Sequence, residues 1–265
     1  MTPKVLILRT AGTNCDVELA HAFTLAGAEP HTLHLNALIE QPEKLADFQI
    51  VGFPGGFSYG DDIAAGRILA NRLKHHLYEP LLAAIDRGVP MIGICNGFQV
   101  LVKLGLLPDP HAPGRAQTAT LADNTSGRFQ DRWVPVTVPG DTKCVWTRSP
   151  EGNADTLPDH ELPIAHAEGR FVAPDDVLDQ LQANGQVALR YADAAGNVNG
   201  SRRQIAGICD PTGLVFGLMP HPERFVTSTQ HPAWTRWAAE QRAAESPGLT
   251  YFKNAVAHVA AAVPA

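Results

Sequence analysis

The chain has 265 residues, 45% hydrophobic and 18% charged, which is ordinary composition for one large globular domain or two small ones. Its formal net charge of −6 lacks the basic excess that neutralises a phosphate backbone, which argues against a nucleic-acid partner. Cys15, Cys95, Cys144 and Cys209 are far apart with no C-x-x-C pair, so neither a metal site nor a disulfide framework is expected. The N-terminus lacks the pattern of a secretory signal, and no apolar run approaches the roughly 18 residues of a bilayer span, so a cytoplasmic chain without membrane contact is expected.

Short apolar runs alternate with amphipathic stretches in the first part of the chain, the pattern of βαβ units around a parallel sheet covered on both faces. Val5 to Leu8 reads as the first strand. Asp16 is placed to cap a helix whose Leu19, Ala22, Phe23 and Ala26 share one face before Gly27 stops it. His31 to Leu35 reads as a second strand and Ile50 to Phe53 as a third, ended by Pro54-Gly55-Gly56. Leu77, Leu81, Leu82 and Ile85 line a helix that Gly88 ends, and Val89 to Ile94 is the fourth strand.

Beyond Leu107 the prolines at 108, 110 and 113 break the pattern, and strands around Ala116 to Leu121, Trp133 to Val138 and Val187 to Tyr191 are separated by long polar loops. This half is expected to be mixed or antiparallel. Thr227 to Pro247 is polar, with Trp234, Trp237 and Ala238 at helix spacing, and reads as an insertion packed on the surface. A last amphipathic helix is expected from about Leu249 to Ala260.

The most informative segment runs Gly93-Ile94-Cys95-Asn96-Gly97-Phe98-Gln99, a buried strand entering a helix with cysteine at the junction. In this G-x-C-x-G form the two glycines let strand and helix approach closely while the nucleophile sits on a strained turn. The helix N-terminus stabilises a thiolate and offers free N–H groups to an oxyanion. Of the 11 histidines, His221 stands out, because Pro220-His221-Pro222-Glu223 follows the strand-like Leu214 to Leu218. The prolines exclude helix, and residues two apart on an extended backbone share a side, so Glu223 is expected to orient His221 as the base serving Cys95. After the third strand, Gly55-Gly56-Phe57-Ser58-Tyr59-Gly60-Asp61 borders the same crevice. The backbone N–H of Gly56, with that of Asn96, is the expected oxyanion hole.

These motifs together resemble the class I, triad-type, glutamine amidotransferases, and the resemblance extends through Ser126-Gly127-Arg128-Phe129, Pro163-Ile164-Ala165-His166, Glu168-Gly169-Arg170-Phe171 and Asn199-Gly200-Ser201. It implies one α/β domain over residues 1–265, a flavodoxin-like three-layer sandwich with a mostly parallel central sheet and an additional mixed or antiparallel part. It further implies a Cys95–His221–Glu223 triad that hydrolyses glutamine through a thioester, with Gln99, Arg170 and Phe171 helping to seat the substrate. The match is closer to the branch serving purine biosynthesis, in which formylglycinamide ribonucleotide becomes its amidine. That reaction consumes ATP, yet the chain has no Gly-Lys dipeptide and hence no P-loop. The resemblance therefore implies no cofactor in this chain. ATP and Mg belong to a separate synthetase subunit that receives the ammonia, and a small third subunit bridges the two. Two stretches depart from that branch: 227–247 is longer, and 62–68 differs from its commonest form.

Overall fold

The computed structural model describes residues 2–113, 117–148 and 157–262. The first part of the chain forms β1 (Lys4–Arg9), α1 (Asp16–Leu25), β2 (Glu29–His34), α2 (Leu35–Glu40), β3 (Ile50–Phe53), α3 (Arg67–His76), α4 (Tyr78–Asp86), β4 (Met91–Ile94) and α5 (Asn96–Leu104). The second part contributes β5 (Thr120–Ala122), β6 (Gln130–Thr137), β7 (His160–His166), β8 (Arg170–Val172), α6 (Asp175–Ala183), β9 (Val187–Tyr191), β10 (Ile205–Cys209), β11 (Val215–Leu218), α7 (Ala239–Ala243) and α8 (Pro247–Ala262).

Among these, nine strands make one sheet in the order β2-β1-β3-β4-β11-β10-β9-β6-β7, and β5 pairs with β8 alone. From β2 to β11 the pairs are parallel, and from β11 onward they are antiparallel. The architecture is the expected α/β flavodoxin-like one. The central strands β3, β4 and β11 are buried along their whole length, as strands covered on both faces must be.

On one side α1 and α8 cover the sheet. Phe23 of α1 is fully buried against Phe252 of α8 (5.1 Å between ring centroids) and Trp146 (6.3 Å). Burying each such ring contributes roughly 1.5–3 kcal/mol, so the last helix is held by the sheet's first one. On the other side α5 lies against β4 and β11, with α3 packed on it. Small residues make that approach possible: a β-carbon at Gly217 would meet the Phe98 ring at 2.1 Å.

Several local expectations are corrected. Asp16 is the first residue of α1 and its ion pair is with Arg9, 3.3 Å away; Cys15 occupies the cap position without a side-chain cap bond. The second strand ends at His34, because Leu35 turns inward to open α2, where His34 Nδ1 accepts the Asn36 N–H at 3.1 Å. Helices α2 and α3 went unread in the sequence. Ala116 lies outside the described residues, and the strand expected there is Thr120–Ala122.

The helix spacing of Trp234, Trp237 and Ala238 does not give one helix over 227–247. The stretch holds two single turns, Ser228–Gln230 and Trp234–Arg236, and the five-residue α7. Its anchor is His231, whose ring lies 4.4 Å from Trp133 and 4.6 Å from Trp237, with Nε2 3.1 Å from Glu161. Aromatic contact with the sheet, not helix propensity, decides this backbone.

Candidate active site

Three adjacent parallel strands, β3, β4 and β11, bring the sequence-selected residues together. In register Phe53 faces Gly93 and Leu218 faces Ile94, so the loops leaving their carboxyl ends emerge side by side. Gly55 and Gly56 follow β3, Cys95 follows β4, and His221 follows β11.

Cys95 adopts φ 52°, ψ −105°, a strained conformation for a non-glycine residue that costs roughly 1–3 kcal/mol. Its backbone N–H donates to Leu218 O at 2.8 Å, pinning the elbow to β11. The flanking glycines are steric requirements: a β-carbon at Gly93 would lie 2.7 Å from the Gly97 backbone, and one at Gly97 would lie 2.0 Å from Phe53 O. Only glycine allows α5 to start this close to β3 and β4. The Cys95 thiol faces Ala165 O at 3.8 Å and opens on a cavity of about 50 Å³ lined also by Gly56, Asp61, Gln99, His166 and Glu168.

His221 is 2% exposed and Glu223 1%. The His221 N–H donates to Pro163 O at 2.8 Å, which shows that β7, at the far edge of the sheet, curls back over the site. His221 Nδ1 lies 2.6 Å from Glu223 Oε1, the short contact of a charge-assisted hydrogen bond. The pairing differs in detail from the extended geometry expected, since Pro222–Arg224 form a single helical turn. Burial opposes charge on the ring, but the Glu223 carboxylate, joined by hydrogen bonding from Cys15, Cys95 and Glu223, outweighs it and holds the imidazole well above the ordinary histidine range. Both thiols thus interact with the ring, yet neither closes a well-aligned hydrogen bond to Nε2. Such bonds commonly tighten only when substrate arrives.

The oxyanion candidates are held by backbone. Gly55 O accepts the N–H groups of Asn14 (3.4 Å) and Cys15 (3.3 Å), while Phe57 N–H donates to Gly12 O at 2.8 Å. The peptide plane leading into Gly56, at φ 137°, is therefore fixed from the β1–α1 loop. Asn96 is the first residue of α5, where a backbone N–H has no intrahelical acceptor. Its side chain bridges Ser58 N–H (3.1 Å), Asp61 Oδ1 (3.2 Å) and Gln99 Oε1 (3.1 Å). Gln99 Nε2 in turn donates to Glu168 O at 2.6 Å.

Arg170 and Phe171 stand apart from this cluster. Arg170 Nε donates to Asp123 O at 2.9 Å, and Phe171 is fully buried, stacked on Phe98 with centroids 6.3 Å apart. Neither is among the described residues lining the cavity. Phe171 packs inward on Phe98 of α5, while Arg170, its neighbour on β8, points the other way and is partly exposed.

Cys15 was not anticipated. It is 1% exposed, its Sγ accepts from Arg224 Nη2 at 3.1 Å, and a β-carbon on Gly55 would touch both Cys15 Sγ (3.1 Å) and His221 Cε1 (3.0 Å). Burial pushes its thiol up, opposed by the hydrogen bond to His221. Arg224 also reaches Glu18 Oε1 at 3.2 Å, tying the histidine turn to α1. The signal was available: Cys15 follows β1, a parallel strand whose carboxyl end borders the same crevice.

No described helix is long and apolar enough to cross a membrane. The four cysteines are free. The profile of the CobB/CobQ-like glutamine amidotransferase domain matches residues 2–259. A phosphoribosylformylglycinamidine synthase subunit PurQ of Dehalococcoides mccartyi is 46% identical over 261 residues, 96% of each chain. A protein of the same name from Methanococcus maripaludis is 40% identical over 272 residues, 97% of each. Among solved structures, a chain of PurLQS from Thermotoga maritima superposes with a TM-score of 0.72 at 32% identity, covering 97% of this chain and 99% of that one. A glutamine amidotransferase of the same organism shares the fold at TM-score 0.54 and 15% identity, covering 97% of each chain. An elbow cysteine meeting a buried His–Glu pair, in a chain matched along nearly its whole length, places this protein in the CobB/CobQ-like glutamine amidotransferase domain family.

Proposed function

We propose that the chain is the glutaminase subunit of a phosphoribosylformylglycinamidine synthase, hydrolysing glutamine and passing ammonia to a synthetase subunit. The observation that carries this reading is the meeting of Cys95 with the His221–Glu223 pair in a chain 46% identical to a named subunit of that synthase over 96% of its length.

The Cys95 sulfur, relieved of its proton by His221, attacks the glutamine carboxamide carbon. The oxygen takes the negative charge and is met by the N–H groups of Gly56 and Asn96. As the carbon–nitrogen bond breaks, His221 returns the proton to the leaving nitrogen, giving ammonia and a γ-glutamyl thioester. Water, deprotonated by His221, then attacks the thioester and releases glutamate and the thiol. Glu223 fixes the imidazole tautomer and stabilises its charged form. Gln99, Arg170 and Phe171 help to seat the substrate, Gln99 from the cavity wall it shares with Glu168 and Phe171 through its stack on Phe98.

The chain uses no cofactor in this scheme. ATP and Mg serve the synthetase partner, and a small third subunit bridges the two. The chain acts as one domain carrying a surface insertion at 227–247, in a cytoplasm that keeps Cys95 reduced. The test is Cys95→Ala in the assembled synthase: glutamine-supported synthesis is expected to vanish while free ammonia still supports it. Loss of both activities would point instead to a structural role.

A further inference from the structure

His166 stands one residue beyond the carbonyl that faces Cys95 and lines the same cavity. It is 3% exposed, and its Nε2 is buried without a hydrogen-bond partner among the described residues. Asn124 settles which ring nitrogen carries the hydrogen. Its amide nitrogen donates to Arg128 O (3.0 Å) and His166 O (2.9 Å), so its Oδ1 is the acceptor. That oxygen takes the Gly169 N–H and the His166 Nδ1–H, each at 3.2 Å. In a neutral ring Nε2 then carries a lone pair.

The ring is held in place, because it rests on Gly169, where a β-carbon would lie 2.1 Å from His166 Cε1. Burial, reinforced by the charge of His221, lowers its pKa to about 4, so it stays neutral at physiological pH. A buried acceptor without a donor is costly, and one beside a nucleophile calls for a functional explanation.

Glutamine brings two kinds of N–H, the cationic α-ammonium and the neutral carboxamide. A carboxylate suits the first, and Glu168 lines the cavity. A neutral lone pair within electrostatic reach of His221 suits the second.

We infer, on the glutaminase reading above, that His166 is a substrate-positioning residue whose Nε2 accepts an N–H of the glutamine carboxamide, aiming that nitrogen at His221. The same lone pair selects against glutamate, whose carboxylate offers no hydrogen. Because the ring stays neutral, it does not compete for the proton that His221 delivers.

The test uses the assembled synthase with His166→Phe, which keeps a ring but removes the acceptor, and His166→Gln, whose carbonyl oxygen can replace it. Ammonia-supported turnover bypasses the site and reports assembly. His166→Phe is expected to lower kcat/KM for glutamine about 10- to 100-fold, mostly through KM, and to make glutamate a relatively better inhibitor. His166→Gln is expected to recover most of the loss. A His166→Phe enzyme within about twofold of wild type overturns the inference, as does a loss that His166→Gln leaves unrepaired with glutamate discrimination unchanged. If His166→Phe does not assemble, nitrogen-15 NMR of Cys95→Ala protein decides: the His166 Nε2 signal is expected to shift from a free to a hydrogen-bonded lone pair when glutamine is added, and an unmoved signal overturns the assignment. Wild-type synthase that makes no ammonia from glutamine sinks the glutaminase reading itself.

Discussion

Replacing Gly97 with alanine tests the elbow at its tightest point. The new β-carbon would lie 2.0 Å from Phe53 O and 2.8 Å from Phe53 C, the first about 1.4 Å inside ordinary van der Waals contact. Neither atom belongs to a flexible side chain. Both are backbone at the end of β3, which is paired with β4 through Phe53 and Gly93, so α5 must move off the sheet. Overpacking of this kind costs roughly 1–3 kcal/mol, with the upper end expected against backbone. For a chain of this size each kcal/mol lowers Tm by roughly 2–4 °C, so a fall of about 2–12 °C is predicted. The catalytic loss should be larger in proportion, since Cys95 shares the junction and a misplacement of about 1 Å can cost on the order of 100-fold in rate. Calorimetry and glutamine-supported turnover measure the two effects. Gly140→Ala is the control, because nothing lies within 4 Å of its β-carbon. A Gly97→Ala protein with wild-type melting and turnover would refute the steric account of the elbow.

An electrophilic glutamine analogue is expected to label Cys95, which lines the cavity, and to leave Cys15 untouched; mass spectrometry showing Cys15 modified first would reverse their roles. His221→Ala should abolish thioester turnover, whereas alanine at His75 or His76, both exposed, should leave glutamine hydrolysis near wild type. Glu223→Gln removes the carboxylate that holds His221 above its unfolded pKa of about 6.5, at a cost of roughly 3–5 kcal/mol near pH 6. Because the folded value is the raised one, that stabilisation is complete below the unfolded pKa and is lost as pH rises through the folded value. Denaturant titrations across pH should show the wild-type advantage narrowing toward alkali, and a gap that widens contradicts the assignment. His231→Ala removes the ring seated between Trp133 and Trp237, so limited proteolysis within 232–246 should accelerate, with a stability loss of roughly 1–3 kcal/mol.

How far the sequence could be read followed the physics of each segment. The buried strands β3, β4 and β11 were legible because short continuous apolar runs near glycine and proline admit few alternatives. The elbow was legible because its two glycines are fixed by contacts local to one strand–helix junction. Helix α3 was not, since Arg67–His76 is mostly polar and buries only Leu69, Ala70 and Leu73. In 227–247 the tryptophan spacing suggested helix, but Trp237 packs on His231, which in turn meets Trp133 of β6, a tertiary contact that periodicity cannot express. Cys15 and His166 were hidden for a related reason. Their meaning depends on Arg224 and Asn124, partners distant in sequence that only the folded sheet brings close. Arg170 and Phe171 show the converse: a motif marked the right neighbourhood, but the direction in which β8 turns its side chains decided which residues reach the cavity.

The strand that completes the site, β11, is the last of the sheet in chain order, yet it lies between β4 and β10. As the polypeptide leaves the ribosome, Cys95 is made first. His221 follows after roughly 6–25 s at ordinary elongation rates. Throughout that interval the edge of β4 that β11 will cover is open to unwanted pairing, and β10 is made only shortly before β11. The nucleophile meanwhile has no base, because His221 follows β11. Biosynthesis thus carries its own safeguard and its own hazard: a partial chain cannot hydrolyse glutamine, but it is the species most in need of a chaperone.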